Sequence, residues 1–296
     1  MRIVSLLPSA TDTIAELGLL DELVGISDDC NWPPEVRSIP LVARTRVDLS
    51  GLTAAQIDVL VNSSVAGGEG EQPHSLYAVD AALMADLEPD LVITQDVCEV
   101  CAVSSGDLET ACPLGVEVLS MNARMLADVI TSVASLGQRL GAGERGAEIA
   151  ARMSTRIEAL RRVTGDGPRP RVFVAEWMDP PYGSGHWIPE MVEAAGGENL
   201  LSSPGAYSFP TTWDTVLGQQ PDLIVLAACG FSVEQSLVHT SELRLPVRTA
   251  VVDGDAYYAR PGPRLVDGIH QLARLLHPEV VEDPRLPVTE LPPLSV

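Results

Sequence analysis

Two stretches far apart in the chain read almost alike: Pro89-Asp90-Leu91-Val92-Ile93 and Pro221-Asp222-Leu223-Ile224-Val225. Each is a short apolar run behind a turn signal, as expected of a strand buried on both faces. Around both, apolar runs alternate with amphipathic segments. Arg2 to Leu6 reads as a first strand, Thr11 to Leu19 as a helix, and Val24 to Ser27 as a second strand. Asp90 to Thr94 and Val116 to Leu119 are the third and fourth. The order returns in Arg171 to Ala175, a helix near Ile188 to Ala195, then Pro221 to Leu226, Thr249 to Val252 and a helix from Arg264 to Leu276. Such alternation predicts an α/β fold with parallel sheets, and its recurrence predicts two similar α/β lobes.

Between the halves, Ile149, Met153, Ile157 and Leu160 recur at spacings of three and four, so Glu144 to Val163 is expected to be one amphipathic helix. The predicted organisation is an N-terminal α/β lobe over 1–140, a linker helix over 141–166 and a C-terminal α/β lobe over 167–283. A Pro-rich tail, surface-bound or frayed, takes 284–296.

A net charge of −22 repels phosphate backbones and anionic surfaces, which sets nucleic-acid binding aside. No stretch approaches the apolar length of a membrane span, so no membrane insertion is expected. The opening Met1-Arg2-Ile3-Val4-Ser5-Leu6-Leu7-Pro8 has no export signal, which predicts a cytoplasmic protein. Five cysteines, an odd number, argue against a disulfide framework.

Phe, Trp and Tyr make up only 4% of the chain, so their positions carry information. Trp32, Trp177, Phe231 and Tyr258 fall just past predicted strands, with Tyr182 and Trp187 in the loop after Trp177. Ligands bind at that carboxyl edge of open parallel sheets. Two lobes facing each other with these edges would enclose a cleft suited to a large, flat, partly apolar small molecule.

Several segments carry a family resemblance. "SLLPSATDTIAELGLLDELVGIS", the paired Pro-Asp-Leu strands and "GHWIPEMVEAAGGENLL" resemble the helical-backbone class of substrate-binding proteins that serve ABC importers of cobalamin, iron-siderophores and haem. "CEVCAVS", "EWMDPPYGSGHWIPEM", "AACGF" and "AYYARPGPRLVDG" are similar to an unsecreted subgroup of the cobalamin-binding branch. The resemblance spans residues 1 to 279. It implies two lobes joined by a long helix, and a corrinoid such as cobalamin, or another large aromatic or metal-containing molecule, as ligand. It also implies docking on an ABC permease through a carboxylate on each lobe, which the missing export signal leaves open.

The polar candidates divide by chemistry. Ser9 and Thr11 stand where they can cap the first helix, near amides able to meet an anionic group. Arg44 with Arg46, and Arg260, offer cationic clamps. Glu176 and His186 are the candidate acid, base or contact groups beside aromatic rings, and Asp96 and Cys229 join the ligand-facing set. Cys98 and Cys101 leave three readings open: pocket wall, redox pair or metal ligands. In the last, Cys30 and His186, or Glu190, would complete the site. Three functions follow: a corrinoid-type binding protein, an enzyme reusing the same cleft, or a metal store or sensor.

Overall fold

A computed structural model of the chain describes residues 1–66, 76–97, 102–108, 111–113, 115–165, 167–241 and 243–294. They group into two compact units. The first comprises Met1–Leu52, Gln56–Ala123 and Thr131–Ile149, and the second Thr53–Ala55, Arg124–Ile130 and Ala150–Val296.

In the first stretch of chain, β1 (Ile3–Ser5) leads into α1 (Pro8–Leu17), β2 (Leu23–Ser27) and β3 (Leu41–Thr45). Next come α2 (Ala54–Ala66), β4 (Tyr77–Val79), α3 (Ala81–Asp86), β5 (Leu91–Thr94) and β6 (Glu117–Ser120). Two helices follow, α4 (Leu126–Arg139) and α5 (Gly143–Thr164). The sheet runs β4-β3-β2-β1-β5-β6 and is parallel except for β3 against β4. β1 and β5 are buried throughout, so Ile3, Leu91 and Ile93 face one core, and Val4 and Val92 the other. The chain order reverses between β1 and β5, which makes the loops after them the expected ligand edge of this sheet.

α1 departs from expectation. It starts at Pro8, whose missing N–H suits the first helical position, and its N-cap Leu7 supplies no side-chain bond. Ser9 and Thr11 therefore lie inside the helix and do not cap it. Gly18, at φ 79°, ends it in the left-handed conformation that favours glycine. α5 is the long amphipathic helix expected over Glu144 to Val163, with Ile149, Met153 and Ile157 buried.

The second sheet begins with β7 (Arg171–Met178) and β8 (Pro181–Gly183), followed by α6 (Ile188–Ala194), β9 (Glu198–Asn199) and β10 (Phe209–Pro210). The chain continues through α7 (Trp213–Gly218), β11 (Leu223–Leu226), α8 (Val233–His239), β12 (Thr249–Val252), α9 (Gly254–Tyr257), α10 (Leu265–Leu276) and β13 (Val288–Leu291). The order is β10-β8-β7-β11-β12-β13, with β9 added beside β7. β7, β11 and β12 form the parallel centre; β8, β10 and β13 are antiparallel additions. Phe173, Ile224, Leu226 and Val251 build the core on one side, where Phe173 meets Trp213 edge-on at 6.4 Å. The segment expected to be a tail contributes β13, because Val288 to Leu291 complete the hydrogen-bonding edge of β12.

Candidate functional site

β7 does not stop at Ala175 as its apolar run suggests. It turns back through β8 as a hairpin, and the register shifts between Ala175 and Trp177, leaving Glu176 as the extra residue of a bulge. Bulges re-aim side chains. Here the Glu176 carboxylate accepts the Gly185 N–H at 3.2 Å and the Ser208 hydroxyl. Burial pushes the Glu176 carboxyl up to about 7, against the opposing pull of the Ser208 and Gly185 hydrogen bonds.

The loop after β8 carries His186 at φ 51°, a left-handed conformation uncommon for a residue with a side chain. Two main-chain bonds hold it there. Its N–H donates to Ala206 O at 2.6 Å, and its carbonyl accepts the Gly205 N–H at 2.9 Å. The imidazole lies 5.7 Å from the Trp187 ring and edge-on to Tyr207 at 5.6 Å. Burial, and then the Arg124 charge, push its pKa below the ordinary value, which favours the uncharged ring. His186 Nε2 and Ser184 Oγ are both buried without a hydrogen-bond partner, leaving this loop's polar groups incompletely satisfied by the chain.

Aromatic residues brace the loop. Trp187 is 8% exposed, and its Nε1–H donates to Tyr258 O at 2.8 Å. The buried Tyr258 hydroxyl in turn donates to Gln271 Oε1 at 3.1 Å, and burial raises its pKa. On the other side of Glu176 in sequence, Trp177 meets Phe231 edge-on at 5.1 Å and donates through Nε1–H to Ala54 O at 3.1 Å. Tyr182 stands opposite Trp177 across the hairpin, and the Cys229 N–H donates to Glu176 O at 3.0 Å. Thus Glu176, Trp177, Tyr182, His186, Trp187, Cys229, Phe231 and Tyr258 gather beyond the parallel centre of the second sheet.

A profile of the family described as periplasmic binding protein matches residues 3–243. The chain belongs to this family. It is 27% identical over 294 residues to the cobalamin-binding protein of Halobacterium salinarum, covering 93% of this chain and 69% of that one. The periplasmic heme-binding protein of Pseudomonas aeruginosa matches with a TM-score of 0.70 at 17% identity, over 99% of this chain and 95% of the other. The periplasmic vitamin B12-binding protein of Vibrio cholerae matches with a TM-score of 0.61 at 20% identity, over 93% and 96% of the two chains. These likenesses establish the two-sheet α/β fold of a periplasmic binding protein.

Other expected site residues of this chain take different places. Arg260 is 4% exposed and engaged by Asp255, with its guanidinium nitrogens 2.5 and 3.2 Å from the two carboxylate oxygens. That carboxylate balances its charge within the fold. Glu190 accepts the Leu126 N–H at 2.6 Å, satisfying the first turn of α4. In the first unit, Ser9 is buried with its hydroxyl unpartnered, Trp32 is half-buried and Arg44 is exposed on β3. Arg46 donates to Tyr77 O at 2.8 Å. Just past β5, Asp96 accepts bonds from Ser105 N–H and Ser120 Oγ–H; burial works against its charge, but these bonds hold it below the usual carboxylate range.

The buried Cys30 thiol lies 3.0 Å from Thr11 Oγ1 and 3.3 Å from Ser27 Oγ. Cys98 and Cys101 lie outside the described residues. Among the described residues, no group of three or more His, Cys, Asp or Glu side chains has metal-holding geometry. No helix among them is long and apolar enough to cross a membrane. Ser208 and Arg124 are site residues that sequence reading missed, for they come from separate segments without a motif.

The raised pKa of Glu176 has a measurable sign. The folded chain holds a proton that the unfolded chain releases near 4.5, so stability should fall as pH rises from about 4.5 to about 7. The full slope for one group is about 1.4 kcal/mol per pH unit. In Glu176→Gln that contribution should vanish. Urea unfolding of both proteins between pH 4.5 and 8 checks this; parallel stability curves would assign the carboxyl an ordinary pKa.

Proposed function

We propose that this chain is a binding protein for a large, flat tetrapyrrole, with a corrinoid as first candidate. The observation that carries the reading is the loop Gly183–Trp187: the Trp187 and Tyr207 rings flank the His186 imidazole, and His186 Nε2 and Ser184 Oγ are left unsatisfied. Rings supply the apolar area that a macrocycle needs, and a few fixed polar groups orient it. The cobalamin, vitamin B12 and heme named for its relatives support the same ligand class. Delivery to an ABC permease, the role that the family suggests, goes with export; a cytoplasmic chain would bind the same ligand without that docking. A cytoplasmic location is part of the same proposal, and cell fractionation tests it.

Cyanocobalamin and haemin titrated into the protein should quench its tryptophan fluorescence, because Trp177 and Trp187 adjoin the site. An unchanged signal with both ligands at micromolar concentration would remove tetrapyrroles. A second reading, an enzyme acting on the same ligand, draws on the Glu176 carboxyl with its pKa about 7, suited to proton transfer at neutral pH. Recovery of the ligand chemically unchanged after prolonged incubation favours the binder; a modified product favours the enzyme.

A further inference from the structure

Arg124 lies immediately before α4, exposed to solvent. Its guanidinium carbon is 4.6 Å from the centroid of the Tyr207 ring, and one of its N–H groups donates to the Tyr207 hydroxyl. No carboxylate among the described residues pairs with that guanidinium. Asp128, the nearest in sequence, directs Oδ2 to the main-chain N–H groups of Arg124 and Met125. In a chain of net charge −22, a guanidinium with no paired carboxylate among the described residues stands out beside the ligand site.

The tyrosine is fixed as firmly as the arginine. Its ring is 57% exposed, yet it stands edge-on to His186, whose main chain grips Gly205 and Ala206 just before it. Because the Tyr207 oxygen accepts from Arg124, its own O–H is free to donate. Arg124 is exposed, so beside the Tyr207 hydroxyl it offers further guanidinium N–H donors and one positive charge. Burial and the Arg124 charge push the pKa of the imidazole beside them down, favouring its uncharged form.

We propose that Arg124 and Tyr207 form an anion subsite that takes a phosphate or carboxylate group at the rim of the bound macrocycle. This rests on the tetrapyrrole reading and adds to it the part of the ligand that is recognised. Phosphate would come from the nucleotide loop of a complete corrinoid, carboxylate from the propionates of haem.

Calorimetric titrations with two ligand pairs test it: cyanocobalamin against dicyanocobinamide, which lacks the nucleotide loop, and haemin against its dimethyl ester. Wild type should prefer the anionic member of at least one pair, and the pair showing the preference identifies phosphate or carboxylate. R124Q should weaken that member about tenfold or more, the scale of a lost charged hydrogen bond, and leave the neutral member nearly unchanged. R124K should restore part of the preference, and Y207F should reduce it by freeing the arginine. Equal weakening of both members by R124Q, or none, with wild-type binding intact, would overturn the subsite and leave the binding protein standing. No binding of any of the four ligands by wild type would overturn both.

Discussion

Replacing Trp187 with alanine should lower stability by about 3–5 kcal/mol, the range for deleting a buried tryptophan. The indole is buried against the site loop, and its Nε1–H satisfies the Tyr258 carbonyl. Truncation therefore leaves both a cavity and an unpaired buried acceptor. Tetrapyrrole affinity should fall as well, since His186 loses the ring beside it. Urea unfolding followed by circular dichroism, with ligand titration on the folded fraction, measures both effects. A stability loss under about 1 kcal/mol, ordinary for surface substitutions, would show that the ring is not packed as described.

The second large effect is expected at Gly185, where nothing but hydrogen fits. A Cβ there would lie 2.5 Å from Ala206 O, 2.5 Å from Ser208 N and 2.6 Å from Tyr207 C. All three are main-chain atoms, so no side chain can swing aside. Gly185→Ala should cost about 1–3 kcal/mol through overpacking. It should also push apart the two segments that Glu176 joins through Gly185 N–H and Ser208 Oγ–H. Ligand affinity should then drop further than stability alone explains, because His186 and Tyr207 are carried by those two segments. An alanine variant that binds with wild-type affinity would disconnect this packing from recognition.

Much of the fold was legible because the central strands are buried on both faces and read as apolar runs. β1, β5, β7, β11 and β12 lie within a residue or a few of where the pattern puts them. β3, β8, β10 and β13 were not legible. Phe209–Pro210 and Pro181–Gly183 carry no strand pattern, and their pairing is imposed by neighbours that only the folded chain supplies. The site divides in the same way. Aromatic residues at strand ends pointed to Trp177, Trp187 and Tyr258, since a sheet's carboxyl edge is fixed by strand order. Ser208 and Arg124 reach Glu176 and Tyr207 through tertiary packing, which leaves no local spacing to find. The partner of Arg260 was hidden for the same reason: a charge seen in sequence does not reveal the Asp255 carboxylate folded against it.

β13 also bears on how the chain avoids its own kind. Thr249 to Val252 of β12 are buried, apolar in all but the first, and would present an unpaired backbone edge without a neighbour. Such an edge is a template on which another molecule can add a strand. Val288 to Leu291 occupy it, and Pro287 before them and Pro292 and Pro293 after them lack the N–H groups that a further strand would need. Cut away before residue 288, the chain would leave the buried backbone of β12 unpaired on one side, and aggregation of the truncated protein is the expected result.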